Sequence, residues 1–227
     1  MMARVTTSGQ DSLYRLLSIA SEQLSEASPD VPTWNGPLPL RSDLEWLISK
    51  KNGFYAFESA LHVLPGGRVT GQPHLAEWNN PSGWRKLYGP KADGLLFFAQ
   101  DAFASQFALS KCDGVVRLNP ESGEVEPVAA SLEDWARRVL DDFPFETGWT
   151  IAKEWQEEYG PLPAGRRLLP KRPFLLGGDF VANNLVAVPA DRAMQMLGRL
   201  HSQIRSTPDG SVTTVRGWLD FDSHSSV

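Results

Sequence analysis

Apolar residues recur three or four positions apart in five stretches of the chain, a spacing that predicts amphipathic helices. The stretches span residues 11–24, 42–52, 131–140, 148–160 and 191–205. Ser42 and Glu45 have the spacing of a capping box at the start of the second helix, and Asn52-Gly53 ends it. Ser131, with Asp134 three residues later, predicts the cap of the third helix.

Runs of aromatic and β-branched residues between these helices predict short strands. They lie at Gly53–Leu64, Leu95–Ala99, Phe103–Leu109, Val115–Leu118, Val125–Ala129, Phe174–Leu176, Asn184–Val188 and Val212–Trp218. Residues 94–135 are the best-defined block, since strand, hairpin, turn, strand and capped helix follow one another directly. This order favours an α+β fold, with helices packed on a mostly antiparallel mixed sheet.

Proline-rich segments separate some of these elements. Prolines at positions 29, 32, 37 and 39 predict an extended connector, which Trp34 is placed to pin to the body. Residues 68–90 show no clean period and predict a loop or short helix. Residues 160–173 combine four prolines with basic residues, and this composition predicts a linker or docking loop.

Composition and charge narrow the classes of function. A hydrophobic fraction of 41% is enough to form a core, and the formal net charge is −5. That charge opposes direct binding to nucleic acid and suits a basic protein partner, although mild acidity also serves solubility alone. The single cysteine, Cys112, excludes an internal disulfide. With no secretory signal and no run of 18 apolar residues, the expected location is cytoplasmic, without membrane insertion.

No set of residues predicts catalysis, a metal site or a cofactor. The chain has no phosphate-binding loop and no Gly-x-Ser-x-Gly elbow. His62, His74, His201 and His224 are scattered, and no base accompanies Cys112 in the sequence. We therefore predict a protein that is not an enzyme; an enzyme whose site assembles from distant residues is the alternative.

Several acidic positions allow two interpretations. Asp141-Asp142 and Glu157-Glu158 are adjacent on predicted helices, so each pair is either a solvated face or part of a patch for a basic partner. Asp101 follows an apolar strand and is either a catalytic or contact carboxylate or a cap of local backbone amides. We favour the cap. Gly177-Gly178 predicts a tight turn without a ligand.

The block at residues 94–135 resembles the SUKH superfamily, which includes fungal cell-wall assembly regulators and bacterial toxin-immunity proteins. The residues that carry this resemblance are Phe97, Asp101, Phe107, Ala108, Val115, Ser131, Leu132 and Trp135. Many members have glycine three residues after the aspartate, where this chain has Ala104. The resemblance implies a single SUKH-like domain over 1–227, with a core at about 38–140, a C-terminal extension at 141–218 and a flexible tail at 219–227.

The same resemblance implies protein binding without catalysis. Its most specific form is an immunity protein that neutralises a cognate bacterial toxin, such as a basic nuclease domain; a general interaction scaffold or regulator of this fold is the alternative. Because the residues of the family pattern mostly build the core, the contacts are expected elsewhere, at exposed acidic and aromatic side chains. The candidates are Trp78, Trp84, Asp141, Asp142, Glu157 and Glu158.

Overall fold

The computed structural model describes residues 11–205 and Trp218, and a six-stranded sheet forms its centre. The strands are β1 (Phe54–Ala56), β2 (Leu61–Val63), β3 (Leu96–Gln100), β4 (Gln106–Ser110), β5 (Gly114–Leu118) and β6 (Val125–Ala129). They lie side by side in chain order, and each described neighbouring pair is antiparallel. The chain thus has the α+β fold expected from its sequence.

Seven α-helices in the described residues surround this sheet. They are α1 (Asp11–Ile19), α2 (Leu38–Lys50), α3 (Leu75–Trp78), α4 (Leu132–Asp141), α5 (Phe143–Thr147), α6 (Trp149–Tyr159) and α7 (Ala190–Arg205). Ser131 caps α4 as predicted, because its hydroxyl oxygen accepts the Asp134 amide at 3.1 Å. Trp135 of α4 packs edge-on against Phe98 and Phe107, which attaches the helix to the sheet. None of the helices in the described part of the chain is both long and apolar enough to span a membrane.

The first two helices differ from the predicted boundaries. Helix α1 stops at Ile19 because the next segment bonds the backbone beside β1 instead, with the Ser21 amide donating to the Tyr55 carbonyl at 2.8 Å. Helix α2 begins at Leu38, so the predicted capping box at Ser42 lies inside it; a proline is tolerated in the first turn of a helix. Trp34 pins the connector as expected, since its indole donates to the Gly94 carbonyl at 2.8 Å.

The predicted strand over residues 53–64 is a hairpin of β1 and β2. Its turn has three consecutive non-glycine residues with left-handed backbone, Phe57, Glu58 and Ser59, at φ angles of 52°, 52° and 70°. Such a turn is costly and depends on its surroundings. The Arg167 guanidinium donates to the Ser59 carbonyl at 2.7 Å and thereby supports the turn.

A second, two-stranded sheet follows the six-stranded one and consists of β7 (Arg166–Pro170) and β8 (Leu185–Pro189). The predicted linker at residues 160–173 is therefore wrong, because its centre is a buried strand joined to the body by a hydrogen bond from the Leu168 amide to the Ala102 carbonyl. The prediction of a strand at Phe174–Leu176 is also wrong, because these residues form a 3-10 helix.

Trp218 is the described residue nearest the C-terminus, and it anchors the end of β7. Its buried indole donates to the carbonyls of Pro170 at 3.2 Å and Lys171 at 2.9 Å. The remainder of the predicted strand at Val212–Trp218 and the predicted tail at 219–227 lie outside the described residues.

Candidate functional site

An aromatic cleft of about 440 Å³ opens where the two sheets meet. Its wall contains three phenylalanines in mutual contact, Phe103, Phe174 and Phe180. The ring of Phe180 lies 4.9 Å from that of Phe103 and 4.6 Å from that of Phe174, centroid to centroid. Phe180 is nevertheless 52% exposed and the neighbouring Leu175 is 51% exposed. Clustered exposed apolar side chains of this kind are typical of interaction sites.

Asp101 lies in the aromatic cleft, directly after β3. Its Oδ1 accepts the amides of Phe103 at 2.9 Å and Ser105 at 2.8 Å, which confirms the predicted cap of local backbone amides. Burial raises the pKa of this carboxyl to about 6, and hydrogen bonds from Ser105 and Phe103 and the charge of Arg117 offset only part of that rise. The side chain therefore combines a structural role with a titratable group in an apolar cleft.

The turn that Asp101 caps contains Ala104, at the position where many members of the SUKH superfamily have glycine. Ala104 is buried and has a φ of 65°, so this alanine occupies the left-handed conformation that glycine adopts more easily. The turn forms with an alanine in this conformation. It places Phe103 in the wall of the aromatic cleft.

Glu121 is a second carboxylate in the aromatic cleft, and sequence reasoning did not identify it. Its two oxygens accept the amides of Phe174 at 3.1 Å and Leu175 at 2.8 Å, so it holds the 3-10 helix against the body. Burial raises its pKa as well. A glutamate in the turn at residues 119–123 is expected to face solvent. The segment that contacts it, at Phe174 and Leu175, lies more than fifty residues later in the chain.

A charged groove of about 670 Å³ runs beside the aromatic cleft along α4. Glu146 at its base is buried, and its two oxygens bind the guanidinium groups of Arg138 at 2.6 Å and Arg117 at 3.2 Å. Arg137 pairs with Asp134 at 2.8 Å. The groove's basic residues are thus already engaged by carboxylates of the protein itself.

Asp141 and Asp142 also line the charged groove and are exposed. Among the residues that the structure describes, no Lys, Arg or His nitrogen lies within 4.0 Å of either carboxylate. The groove therefore offers two exposed carboxylates for an incoming cation, and their part in binding stays a prediction.

Phe145 joins the two cavities, because its side chain lines both the aromatic cleft and the charged groove. It is 67% exposed, and the Arg117 guanidinium lies 5.8 Å from its ring centroid. Helix α5, which carries Phe145, was not predicted from the sequence. Its five residues are too short for a periodic apolar signal.

The remaining predicted contact residues lie apart from this surface. Glu157 and Glu158 are exposed on the last turn of α6 but line neither cavity. Trp78 and Trp84 are only 3% and 5% exposed, which corrects the expectation that they are exposed anchors. Their rings contact each other, and Trp84 packs on Phe97, so their packing is that of core residues.

The described residues offer no group of three His, Cys, Asp or Glu side chains arranged to hold a metal ion. The chain matches no protein-family model, and no curated protein matches its sequence. Among solved structures it is similar to the crystal structure of Atu4351 from Agrobacterium tumefaciens, with a TM-score of 0.49 and 13% identity, covering 75% of this chain and 83% of that chain. Similarity at this level carries no inference about function.

Proposed function

We propose that the protein is a non-catalytic protein-binding domain that neutralises a basic toxin domain, such as a nuclease, in the cytoplasm. The observation that carries this proposal is the continuous surface on which the aromatic cleft, exposed Phe145 and the charged groove meet. The resemblance of residues 94–135 to the SUKH superfamily supports the immunity role.

The chemistry of this surface matches a basic protein better than a small neutral ligand. Exposed aromatic residues are the side chains that supply most binding energy at protein interfaces. Asp141 and Asp142 line the charged groove together with Phe145, and the whole chain has a net charge of −5. Complementary charge steers a basic partner towards the surface and speeds its association.

No catalytic role is assigned to Asp101 or Glu121 in this proposal. The Oδ1 of Asp101 and both carboxylate oxygens of Glu121 accept main-chain amides that hold the walls of the aromatic cleft. A local cap at Asp101 and a long-range contact between Glu121 and the 3-10 helix therefore give both carboxylates a structural role without a reaction.

The proposal is tested with any toxin domain that the genes flanking this one encode. We expect the purified chain to bind that domain in calorimetry and to rescue bacteria that express it. Phe145→Ala should weaken binding at least tenfold, since loss of an interface anchor costs about 2 kcal/mol. Asp141→Asn/Asp142→Asn should weaken it severalfold, mainly by slowing association.

Two matched variants serve as controls. Leu38→Ala removes an equally exposed apolar side chain on α2, and Glu157→Gln/Glu158→Gln removes the acidic pair that lies outside both cavities. Both should change the dissociation constant less than twofold. Absence of binding and of rescue by the wild-type chain would refute the immunity role; binding to a host regulator instead would favour the interaction scaffold.

A further inference from the structure

We infer that the aromatic cleft is a receptor for one arginine side chain of the protein partner. This inference rests on the proposed function, because it specifies which group of a basic partner enters the surface.

Asp101 and Glu121 place two carboxylates in an apolar enclosure without a cation in contact. Neither has a basic nitrogen within 4.0 Å among residues 11–205. Burial disfavours the charged form of both, as the raised pKa values of the two carboxyls indicate. An incoming cation would offset this cost, whereas an apolar occupant would remove the carboxylates further from water.

Two described arginines interact with Asp101 through their charge, but neither contacts it. Arg117 lowers the pKa of Asp101 through its charge, but its guanidinium contacts Glu126 at 2.8 Å and Glu146 at 3.2 Å. Asp101 raises the pKa of Arg167 through its charge, but this guanidinium donates one hydrogen bond to the Ser59 carbonyl, and its Nε and Nη2 have no hydrogen-bond partner among the described residues. A direct ion pair with either carboxylate therefore requires a cation from outside the described residues.

The walls favour a planar cation over a compact ammonium. Phe103, Phe174 and Phe180 present aromatic rings to the cleft, and a guanidinium stacks on such rings while donating to carboxylates in a fork. A lysine ammonium is more strongly hydrated and loses more on entering an apolar cleft. The volume of about 440 Å³ is ample for one long side chain, and the exposed edges of Phe180 and Leu175 leave the entrance open.

The test uses three small probes with the wild-type chain: acetyl-arginine methylamide, the matching lysine compound and the matching citrulline compound, which has the shape of arginine without its charge. NMR titration should show shifts at Phe103, Phe174 and Phe180 with the arginine probe, with a dissociation constant in the millimolar range. The lysine probe should bind severalfold more weakly, and the citrulline probe at least tenfold more weakly.

Variants then locate the binding. Glu121→Gln and Phe180→Ala should each weaken the arginine probe at least threefold, while Glu157→Gln on α6 should leave it unchanged. Equal shifts with citrulline, tighter binding of lysine, or shifts confined to Asp141 and Asp142 would each overturn the inference. The probe comparison on the wild-type chain decides the question even if a variant fails to fold.

This experiment is independent of the toxin experiment. If the arginine probe binds in the cleft but the toxin domain is not bound, the immunity role fails and the receptor stands. If the toxin domain is bound but the probes do not distinguish arginine from citrulline, the receptor fails and the immunity role stands.

Discussion

Asp101 stabilises a turn through hydrogen bonds, but burial of its charge also costs free energy. The carboxylate accepts two amides of the turn after β3 and so organises the backbone around Ala104 and Phe103. The burial that shields these hydrogen bonds from water also disfavours the negative charge, and it raises the pKa of the carboxyl to about 6. The stability contribution of this carboxyl therefore changes with pH between its unfolded and folded pKa values, and the loss persists at higher pH.

Asp101→Asn should therefore change the pH dependence of stability. Because the pKa rises from 3.8 to about 6 on folding, the folded state binds the proton more tightly, and this carboxyl lowers the free energy of unfolding as the pH increases from 4 to 7. The shift corresponds to about 3 kcal/mol. The free energy of unfolding of the variant, relative to wild type, should rise by about 2 kcal/mol between pH 4 and pH 7 in urea titrations, because the unfolded carboxyl is already partly ionised at pH 4.

Taking the difference between variant and wild type removes the contributions of Glu121 and His62, which are common to both chains. Phe103→Leu provides the control, since it alters the same turn and keeps the carboxyl. Its difference from wild type should be the same at both pH values. Parallel pH profiles for Asp101→Asn and wild type would contradict the raised pKa.

Arg167 is the residue at which local sequence reasoning failed most clearly. It lies in a proline-rich, basic segment that predicts an exposed linker, yet it is fully buried in β7. Its guanidinium lies 5.5 Å from the Tyr55 ring and bonds the Ser59 carbonyl. A buried arginine is rare enough that composition argues against it, and only its contacts with the β1–β2 turn account for its position.

At the scale of elements, the joints between helices and strands determine the shape of the candidate site. Gly148 ends α5 and precedes α6 with a φ of 68°, a conformation that glycine adopts without strain. A Cβ on this residue would lie 2.2 Å from Cε2 of Phe103. The joint therefore allows Phe103 to remain in the wall of the aromatic cleft beside α6.

Gly148→Ala should be destabilising for two reasons, the left-handed backbone and the overlap with Phe103. We expect the free energy of unfolding to fall by about 2–4 kcal/mol in urea titrations. Gly89→Ala is the matched control, because Gly89 has a φ of 55° but no atom within 4 Å of the added Cβ. It should cost about 1 kcal/mol. Equal losses in the two variants would mean that Phe103 moves aside freely.

The β1–β2 hairpin was predicted as a single strand because its turn has no local sequence signal. Residues 53–64 are rich in apolar and aromatic residues, which is typical of one strand, and no glycine or proline marks the turn at 57–59. The left-handed turn persists because Arg167, Gln156 and Trp149 bond its backbone and side chains. These partners lie about a hundred residues away in the sequence, so no local signal reveals the turn.

At the scale of the whole molecule, the net charge influences how fast a charged partner would approach, and it has little effect on the fold. The net charge of −5 and the exposed carboxylates beside Phe145 create a field that favours approach of a basic protein. This field is screened over about 10 Å at moderate ionic strength. The apolar contacts of the aromatic cleft are screened much less.

Association with the proposed basic partner should therefore depend on salt. Raising NaCl from about 50 to about 500 mM should slow association roughly tenfold and change dissociation little. Stopped-flow fluorescence measures both rate constants. Asp141→Asn/Asp142→Asn should reduce the salt dependence, whereas Leu38→Ala should retain it. An association rate that is independent of salt would contradict electrostatic steering to this surface.

The sequence by itself determined the features whose cause is local. The cap of α4 at Ser131, the turn at Asp101 and the block of strands from β3 to β6 follow from hydrophobic period, capping residues and turn residues within a few positions. They identify the α+β scaffold correctly, because hydrogen bonds between neighbours in sequence specify these features wherever the rest of the chain lies.

Only the tertiary structure decided which aromatic and acidic side chains face the solvent. Phe145 and Phe180 are exposed while Trp78 and Trp84 are buried, although all four are aromatic. The aromatic cleft needs Phe103 and Glu121 to meet Phe174, which comes from a segment more than fifty residues later. Burial depends on which distant segments pack together, and the hydrophobic pattern of a single segment carries no information about its eventual neighbours.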